Sequence, residues 1–316
     1  MTRKVFIDGA AGTTGLEIRE RLAGRGELAL VQLADSERKD PRARARALNE
    51  ADTVILCLPD EAAREAVALI ENPDVRVIDA STAHRVAPGW AFGFPEFEPG
   101  QYQVIAAAKR VSNPGCWSTA FLALVRPLVR AGLIPNEALL TAHGISGYSG
   151  GGKAMIAEFQ NRDSPGYVET VARAYALQLA HKHIPEMTEH AGLTTPPVFS
   201  PYVGRYYRGM IVEVPLHLRA LPGEPKAADL HVALAAAYAR RPLVEVASLA
   251  EAAAVKSLDA EALRGTDRLK LYVFSNEKTG QARLSAVLDN LGKGASGAAV
   301  QNLNLMFDLP ETAGLV

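Results

Sequence analysis

The sequence predicts an α/β protein of two domains. A doubly wound parallel sheet comes first, followed by an antiparallel or mixed sheet with helices on one side. Three observations carry that expectation. Short, nearly unbroken apolar runs alternate with helix-like stretches through the first hundred residues. Gly9, Gly12 and Gly15 follow the first of those runs at a strand-to-helix turn. From about residue 139 onward, strand patterns follow one another more directly. A chain of 316 residues is long enough for two domains and a large buried core.

In chain order, "KVFID" (4–8) is a strand, followed by the glycines and an amphipathic run with Leu16, Ile18 and Leu22. "LALVQLA" (28–34), "TVILCLP" (53–59), "VRVIDAS" (75–81) and "QVIAAA" (103–108) are further strand candidates. Their continuous apolar character suits strands buried on both faces. "DEAAREAVALIEN" (60–72) reads as a helix with acidic residues in its first turn. Beyond residue 139, "LLTAHGIS", "RGMIVEVPLHL" and "DRLKLYVFS…ARLSAVLD" are strands, and "KAADLHVALAAAYARR" (226–241) is a helix. The tail "GKGASGAAVQNLNLMFDL" reads as a small-residue-rich helix after a strand.

Composition narrows the function. A formal net charge of −1 gives no electrostatic case for nucleic acid or an anionic membrane. The hydrophobic share, 48%, is spread in short runs, none near the roughly 20 residues of a membrane span. "MTRKVFIDGAAG" runs straight into a strand and turn, without the apolar region of a signal peptide. Two cysteines, Cys57 and Cys116, are too few for a disulfide framework or a cysteine-rich metal cluster, and no metal site is expected. The expectation is a soluble, cytoplasmic enzyme.

"FIDGAAGTTGLEI" is a GxxGxxG variant of the dinucleotide fingerprint. Glycines let the backbone approach a pyrophosphate, whose charge then rests on the helix N-terminus. The second strand ends at "ADSERKD". Asp35 could take a ribose 2′-hydroxyl and favour NAD, whereas Ser36, Arg38 and Lys39 suit the 2′-phosphate of NADP; the reading inclines to NADP.

Cys116 follows Pro114 and Gly115 and falls in the first turn of an apolar helix, "WSTAFLALVRPLVRAG". The helix dipole and unpaired N–H groups there favour a thiolate and can hold an oxyanion after attack on a carbonyl. Cys57, inside an apolar strand, fits a buried structural cysteine instead. A thiolate nucleophile needs an acid/base partner, usually histidine. "LAHKHIPEM" carries His181 and His183, with Pro185 expected to open a helix. In extended chain the two imidazoles point opposite ways, so one of them faces the cysteine. His217 and His231 read as ordinary surface residues of a strand and a helix. "HGISGYSGGGKAM" (143–155), with Lys153 at a helix start, has the makings of an anion cradle. A nicotinamide cofactor, a cysteine nucleophile and an anion cradle together suggest reduction of an acyl phosphate through a thioester, or its reverse.

Seven motifs in order give the chain its likeness: "GAAGTTG" (9–15), "CLPDEAA" (57–63), "DASTAHR" (79–85), "SNPGCWST" (112–119), "SGYSGGGK" (146–153), "HKHIPEM" (181–187) and "GKGASGAAVQNLN" (292–304). Over nearly its whole length it resembles the N-acetyl-γ-glutamyl-phosphate reductases, arginine-pathway enzymes of the semialdehyde dehydrogenase superfamily. The short length and "PYVGRYYRGM" (201–210) are similar to the shorter branch; Tyr202 stands where the longer branch has histidine. The resemblance implies a Rossmann-type NADP-binding domain (1–115 with 294–316). It also implies an α+β catalytic and oligomerisation domain (116–293) similar to that of glyceraldehyde-3-phosphate dehydrogenase, and a homo-oligomer, dimer or tetramer. It implies Cys116 as nucleophile and His183 as acid/base, with His181 the second candidate. Ser149, Gly150 and Lys153 would lie at the substrate phosphate and Arg208 near its acidic groups. Gly9, Gly12, Thr13, Thr14, Gly15, Ser36, Arg38, Lys39, Pro59, Ser81, Asn290 and Gln301 would serve the cofactor. The implied reaction is NADPH-dependent reduction of N-acetyl-γ-glutamyl phosphate to N-acetylglutamate semialdehyde. Two other readings stay open: a reductase of aspartyl or carrier-bound aminoadipyl phosphate, and a non-catalytic NADP-binding sensor.

Overall fold

The computed structural model describes residues 2–34, 36–37 and 40–316. They form two compact units: one of residues up to Pro95 with Pro99–Gly115 and Ala295–Leu315, the other of Glu96–Glu98, Cys116–Gly294 and Val316. Among the described residues no helix is long and apolar enough to cross a membrane.

The first unit contains β1 (Arg3–Asp8), α1 (Thr13–Leu22), β2 (Leu28–Val31), α2 (Pro41–Glu50), β3 (Thr53–Leu56), α3 (Asp60–Ala68), β4 (Arg76–Asp79), β5 (Ala91–Phe92), α4 (Gln101–Ala107) and β6 (Arg110–Ser112). Its six strands pair in the order β2-β1-β3-β4-β6-β5, all parallel. Every residue of β3 is buried, as a strand with both faces covered requires. The helix at Gly297–Met306 joins this unit from the far end of the chain. It packs Ala299, Val300 and Leu303 against Ile18, Ile78 and Ile105.

Two expectations change here. "QVIAAA" is no strand but most of α4, opened by Gly100 in the left-handed region (φ 84°). Val104 is half exposed while Ile105 is buried, so only one side of the run meets the core, and its alanines favour helix. The strand of this region is β6, three residues further on. Helix α3 stops at Ala68, short of residue 72, where Glu71 and Asn72 donate their N–H groups to the Asn49 side chain.

The second unit contains α5 (Cys116–Arg130), β7 (Thr141–Gly147), α6 (Gly152–Gln160), β8 (Ala172–Ala174), α7 (Ile184–Ala191), β9 (Val198–Gly204), β10 (Met210–His217), α8 (Ala227–Ala237), β11 (Val244–Val246), α9 (Leu249–Ala254), β12 (Leu269–Asn276) and β13 (Gln281–Leu288); the helix at Gly297–Met306 is α10. Its sheet is mixed, in the order β11-β12-β13-β10-β7-β9-β8. Strands β7 and β9 run parallel, as do β11 and β12, and the other neighbours are antiparallel. Helix α5 lies on this sheet against β13 and β10 and beside α7 and α8. Phe121, Leu122, Leu124 and Val125 are fully buried, so the helix that begins at Cys116 is the spine of this unit.

Candidate active site

In the first unit, the glycine turn joins β1 to α1. Gly9 sits at φ 87°, and a side chain there would strike the Cys57 carbonyl. Its carbonyl accepts from the Gly12 amide at 2.9 Å. A β-carbon at Gly15 would lie 2.5 Å from the Gly9 oxygen, so helix and turn can close up only with glycine there. The N-cap of α1 is Gly12, with no side-chain cap and no acidic residue in the first turn, which suits an anion at that end. Thr13 and Thr14 are the first residues of the helix.

Beside this turn lies a cavity of about 400 Å³. Leu33, Pro41, Leu58 and Ala62 give it apolar walls, and Arg19, Asp8 and Arg44 its charge. Arg44 of α2 pairs with Asp8 at 2.7 Å. Burial pushes the Asp8 carboxyl above its usual range despite the opposing Arg44 and the Gly9 amide. Volume, apolar walls and an uncapped helix end fit a dinucleotide. Ser36 is exposed, while Asp35, Arg38 and Lys39 lie outside the described residues. Pro59 caps α3. The Ser81 hydroxyl donates to the buried Asp79 at 2.7 Å, and Gln301 donates to Glu311 at 2.7 Å; both side chains are engaged within their own unit. Cys57 is partly buried, its thiol pushed up to about 12 by burial and by the charges of Asp79 and Asp8.

In the second unit, Cys116 is the first residue of α5 and partly exposed. Next to it, Trp117 packs edge-on against Phe199 (5.2 Å), and Phe199 against His181 (5.1 Å). Tyr175 meets the His181 ring at 5.6 Å and accepts a hydrogen bond from Trp117. Burial pushes the Tyr175 hydroxyl up, and the charge of Cys116 adds to it. Cys116, Tyr175, His181 and His183 therefore belong to one cluster.

The two histidines do not diverge. The chain at 181–183 is a turn entering α7, not extended strand, and the imidazoles meet edge to face at 4.8 Å. His181 Nδ1 accepts the His183 amide at 3.1 Å, so His181 braces the turn that presents His183. His183 is buried and N-caps α7, in which Pro185 stands in the first turn as expected.

The ends of β7 and β13 and the start of β10 meet at one end of the central strands, since Met210 pairs with both Ser146 and Leu288. Asn290 joins them: its amide donates to the Ser149 hydroxyl (2.9 Å) and accepts from the Gly209 amide (2.8 Å). Asn290, expected beside the cofactor, thus ties Ser149 to Gly209 within its own unit. Arg208 is paired with the buried Asp289 at 2.6 Å, which aims its guanidinium. The amides of Gly147, Tyr148 and Ser149 donate to the carbonyls of Gly209, Tyr206 and Tyr207. An anion cradle therefore cannot use those three amides; it has the Ser149 hydroxyl, exposed Gly150 and exposed Lys153 in the first turn of α6. The tripeptide Gly292–Gly294 closes the site: a β-carbon on Gly294 would lie 2.7 Å from the Cys116 β-carbon.

Tyr175, Asp289, Glu96 and Lys293 are the side chains that sequence reasoning missed. Lys293 lies inside a recognised motif, yet nothing local marks a lysine as buried. Tyr175 follows a short strand without any motif of its own.

The semialdehyde dehydrogenase NAD binding domain model matches residues 4–105, and the semialdehyde dehydrogenase dimerisation domain model matches 116–290. The chain is 53% identical over 309 residues to the N-acetyl-gamma-glutamyl-phosphate reductase of Burkholderia lata, covering 98% of each chain. It is 51% identical to N-acetyl-gamma-glutamyl-phosphate reductase 2 of Pseudomonas putida, covering 99% of each. In fold it is similar to the aspartate semialdehyde dehydrogenase of Candida albicans solved with NADP: TM-score 0.65, 13% identity, 97% of this chain and 99% of that one.

Proposed function

This chain belongs to the N-acetyl-γ-glutamyl-phosphate reductases of the semialdehyde dehydrogenase family, and we propose that it reduces its acyl phosphate with NADPH through a thioester on Cys116. The observation that carries this reading is the cluster at the start of α5. Cys116 opens a buried helix, and from its neighbour Trp117 a run of ring contacts leads through Phe199 to His181, which meets both Tyr175 and His183. Residues 1–115 with 294–316 act as the cofactor domain, and 116–293 as the catalytic and oligomerisation domain of a cytoplasmic dimer or tetramer.

The Cys116 thiolate attacks the γ-carbonyl; the carbon–sulfur bond forms as the carbon–oxygen bond to phosphate breaks. Ser149, Gly150 and Lys153 hold the phosphate before and as it leaves. Arg208, braced by Asp289, grips the substrate carboxylate by paired hydrogen bonds. A nicotinamide cofactor held by the first unit would supply the hydride that reduces the thioester carbonyl. His183 donates a proton to the tetrahedral oxygen and takes it back as the carbon–sulfur bond breaks, returning the thiolate and releasing the semialdehyde. Gly9, Gly12, Thr13, Thr14 and Gly15 would hold the pyrophosphate, with Ser36, Arg38 and Lys39 at the 2′-phosphate and Pro59, Ser81, Asn290 and Gln301 as further cofactor-binding residues. The uncapped α1 terminus and the adjoining cavity support the first of these roles.

The test runs the reaction in reverse on a panel of semialdehydes, with and without phosphate. N-acetylglutamate semialdehyde should reduce NADP only when phosphate is present, and aspartate semialdehyde should be much slower. One missing methylene alone gives about 10- to 200-fold discrimination, and the free ammonium of aspartate semialdehyde, where the acetylated substrate is neutral, adds to it. Equal rates on both, or oxidation indifferent to phosphate, would overturn the assignment.

A further inference from the structure

The second unit buries an ion pair that the mechanism does not use. The Lys293 ammonium lies 2.8 Å from both carboxylate oxygens of Glu96, and the two side chains are 1% and 0% exposed. Taking both charges out of water is costly, and well-packed apolar residues of similar volume often serve stability as well or better. What such a pair adds is direction, because a lysine held on both oxygens of one carboxylate has a fixed position.

That position bears on the nucleophile. Glu96 belongs to a three-residue segment strapped along α5: Glu98 pairs with Arg126 and with Arg130 (2.9 Å), and the Arg126 guanidinium lies over the Phe97 ring. Glu96 is therefore held in the frame of the helix that begins at Cys116. On the other side, Lys293 stands between Gly292, packed on the Thr266 carbonyl, and Gly294, packed on the Cys116 β-carbon. The Gly294 amide donates to the Asp289 carbonyl at 3.0 Å, which holds the turn from behind.

We propose that the buried Lys293–Glu96 pair is a positioning device for the nucleophile: it locks the Gly292–Gly294 turn to the frame of α5, so that Gly294 seats against Cys116 and fixes the direction of its sulfur. The inference rests on Cys116 being the nucleophile. A displacement of about 1 Å at reacting atoms costs up to roughly 100-fold in rate.

The experiment compares Lys293→Met, the double variant Glu96→Leu/Lys293→Met, and Gly294→Ala in the full-length protein. Four quantities are read: kcat, KM for the acyl phosphate, NADPH dissociation by fluorescence titration, and the rate at which iodoacetamide alkylates Cys116, followed by peptide mass. Lys293→Met should lower kcat about 10- to 100-fold and change the alkylation rate, with NADPH binding held within about twofold. The double variant should recover thermal stability without recovering kcat. Gly294→Ala, whose new β-carbon meets Cys116 directly, should reproduce the same kinetic pattern with the ion pair intact. If kcat returns together with stability in the double variant, or if Gly294→Ala alkylates and turns over as the parent does, the pair is structural and the proposal fails. Should Lys293→Met not fold, the other two variants decide. Full activity in Cys116→Ser would instead defeat the reaction assignment itself, a separate outcome.

Discussion

Asp289→Asn tests the turn that gathers the substrate side of the site. The Asp289 carboxylate is fully buried. One oxygen accepts from the amides of Leu291 (2.8 Å) and Gly292 (3.2 Å); the other accepts from Gly265 (2.6 Å) and meets Arg208. Asparagine has one acceptor oxygen and one donor nitrogen. Whichever way the amide faces, its nitrogen confronts donors. It loses either the Leu291 and Gly292 bonds or the Gly265 bond with the Arg208 ion pair. Charge-assisted hydrogen bonds contribute about 1.5–3 kcal/mol each, and breaking a buried ion pair costs about 3–5 kcal/mol. The expected loss is therefore about 3–5 kcal/mol, or roughly 6–20 °C in Tm for a unit of this size. Scanning calorimetry measures it, with Asp229→Asn as comparator. Asp229 accepts the Lys226 amide at the exposed start of α8, where an asparagine oxygen can accept the same bond, so its change should stay within about 1 kcal/mol. If Asp289→Asn melts within 2 °C of the parent, the carboxylate is not the pivot of this turn.

Other expectations follow the same logic. Cys116→Ser should abolish turnover while leaving melting and NADPH titration unchanged, whereas Cys57→Ser should keep activity; a steady-state assay beside a thermal melt separates them. His183→Ala should lower kcat more than His181→Ala, and His181→Ala should still lower it because His181 braces the turn; the reverse order would move the acid/base role to His181. NADPH should bind tighter than NADH, and Arg38→Ala with Lys39→Ala should narrow the gap in a fluorescence titration; a parent enzyme preferring NADH would assign the ribose to Asp35. Burial pushes the Glu213 carboxyl up, but hydrogen bonds with His143 and Ser285 and the charge of Arg283 outweigh it and hold the group below its ordinary value. A depressed carboxyl contributes stability above the unfolded-state value and loses it as pH falls through the folded one. The stability difference between parent and Glu213→Gln should thus be steady near neutrality and shrink in acid; a difference that grows in acid would refute the sign.

What could be read in the sequence was local. The glycine turn, the cysteine after Pro114 and Gly115, and the helix opened at Pro185 each need only a few neighbouring residues to be recognised. What could not be read depends on partners far apart in the chain: Lys293 with Glu96, 197 residues away, or Asn290 with Ser149, 141 away. The "QVIAAA" run failed because five apolar residues in a row satisfy a strand and a one-sided helix equally, and burial decides between them. The histidines failed for a related reason. Opposed directions hold for extended chain, and the turn before α7 brings alternate side chains together.

The return of α10 to the first unit has a consequence for synthesis. The ribosome delivers β1 to β6 early, but Ala299, Val300 and Leu303, which complete the core around Ile18 and Ile105, follow nearly 200 residues later. At about 5–20 residues per second, that core waits roughly 10–40 s for its final helix. Nearly all of the second unit, Cys116 to Gly294, is made in between. The nascent first unit, with a greasy flank uncovered through that interval, is the stage at which a chaperone would find this chain.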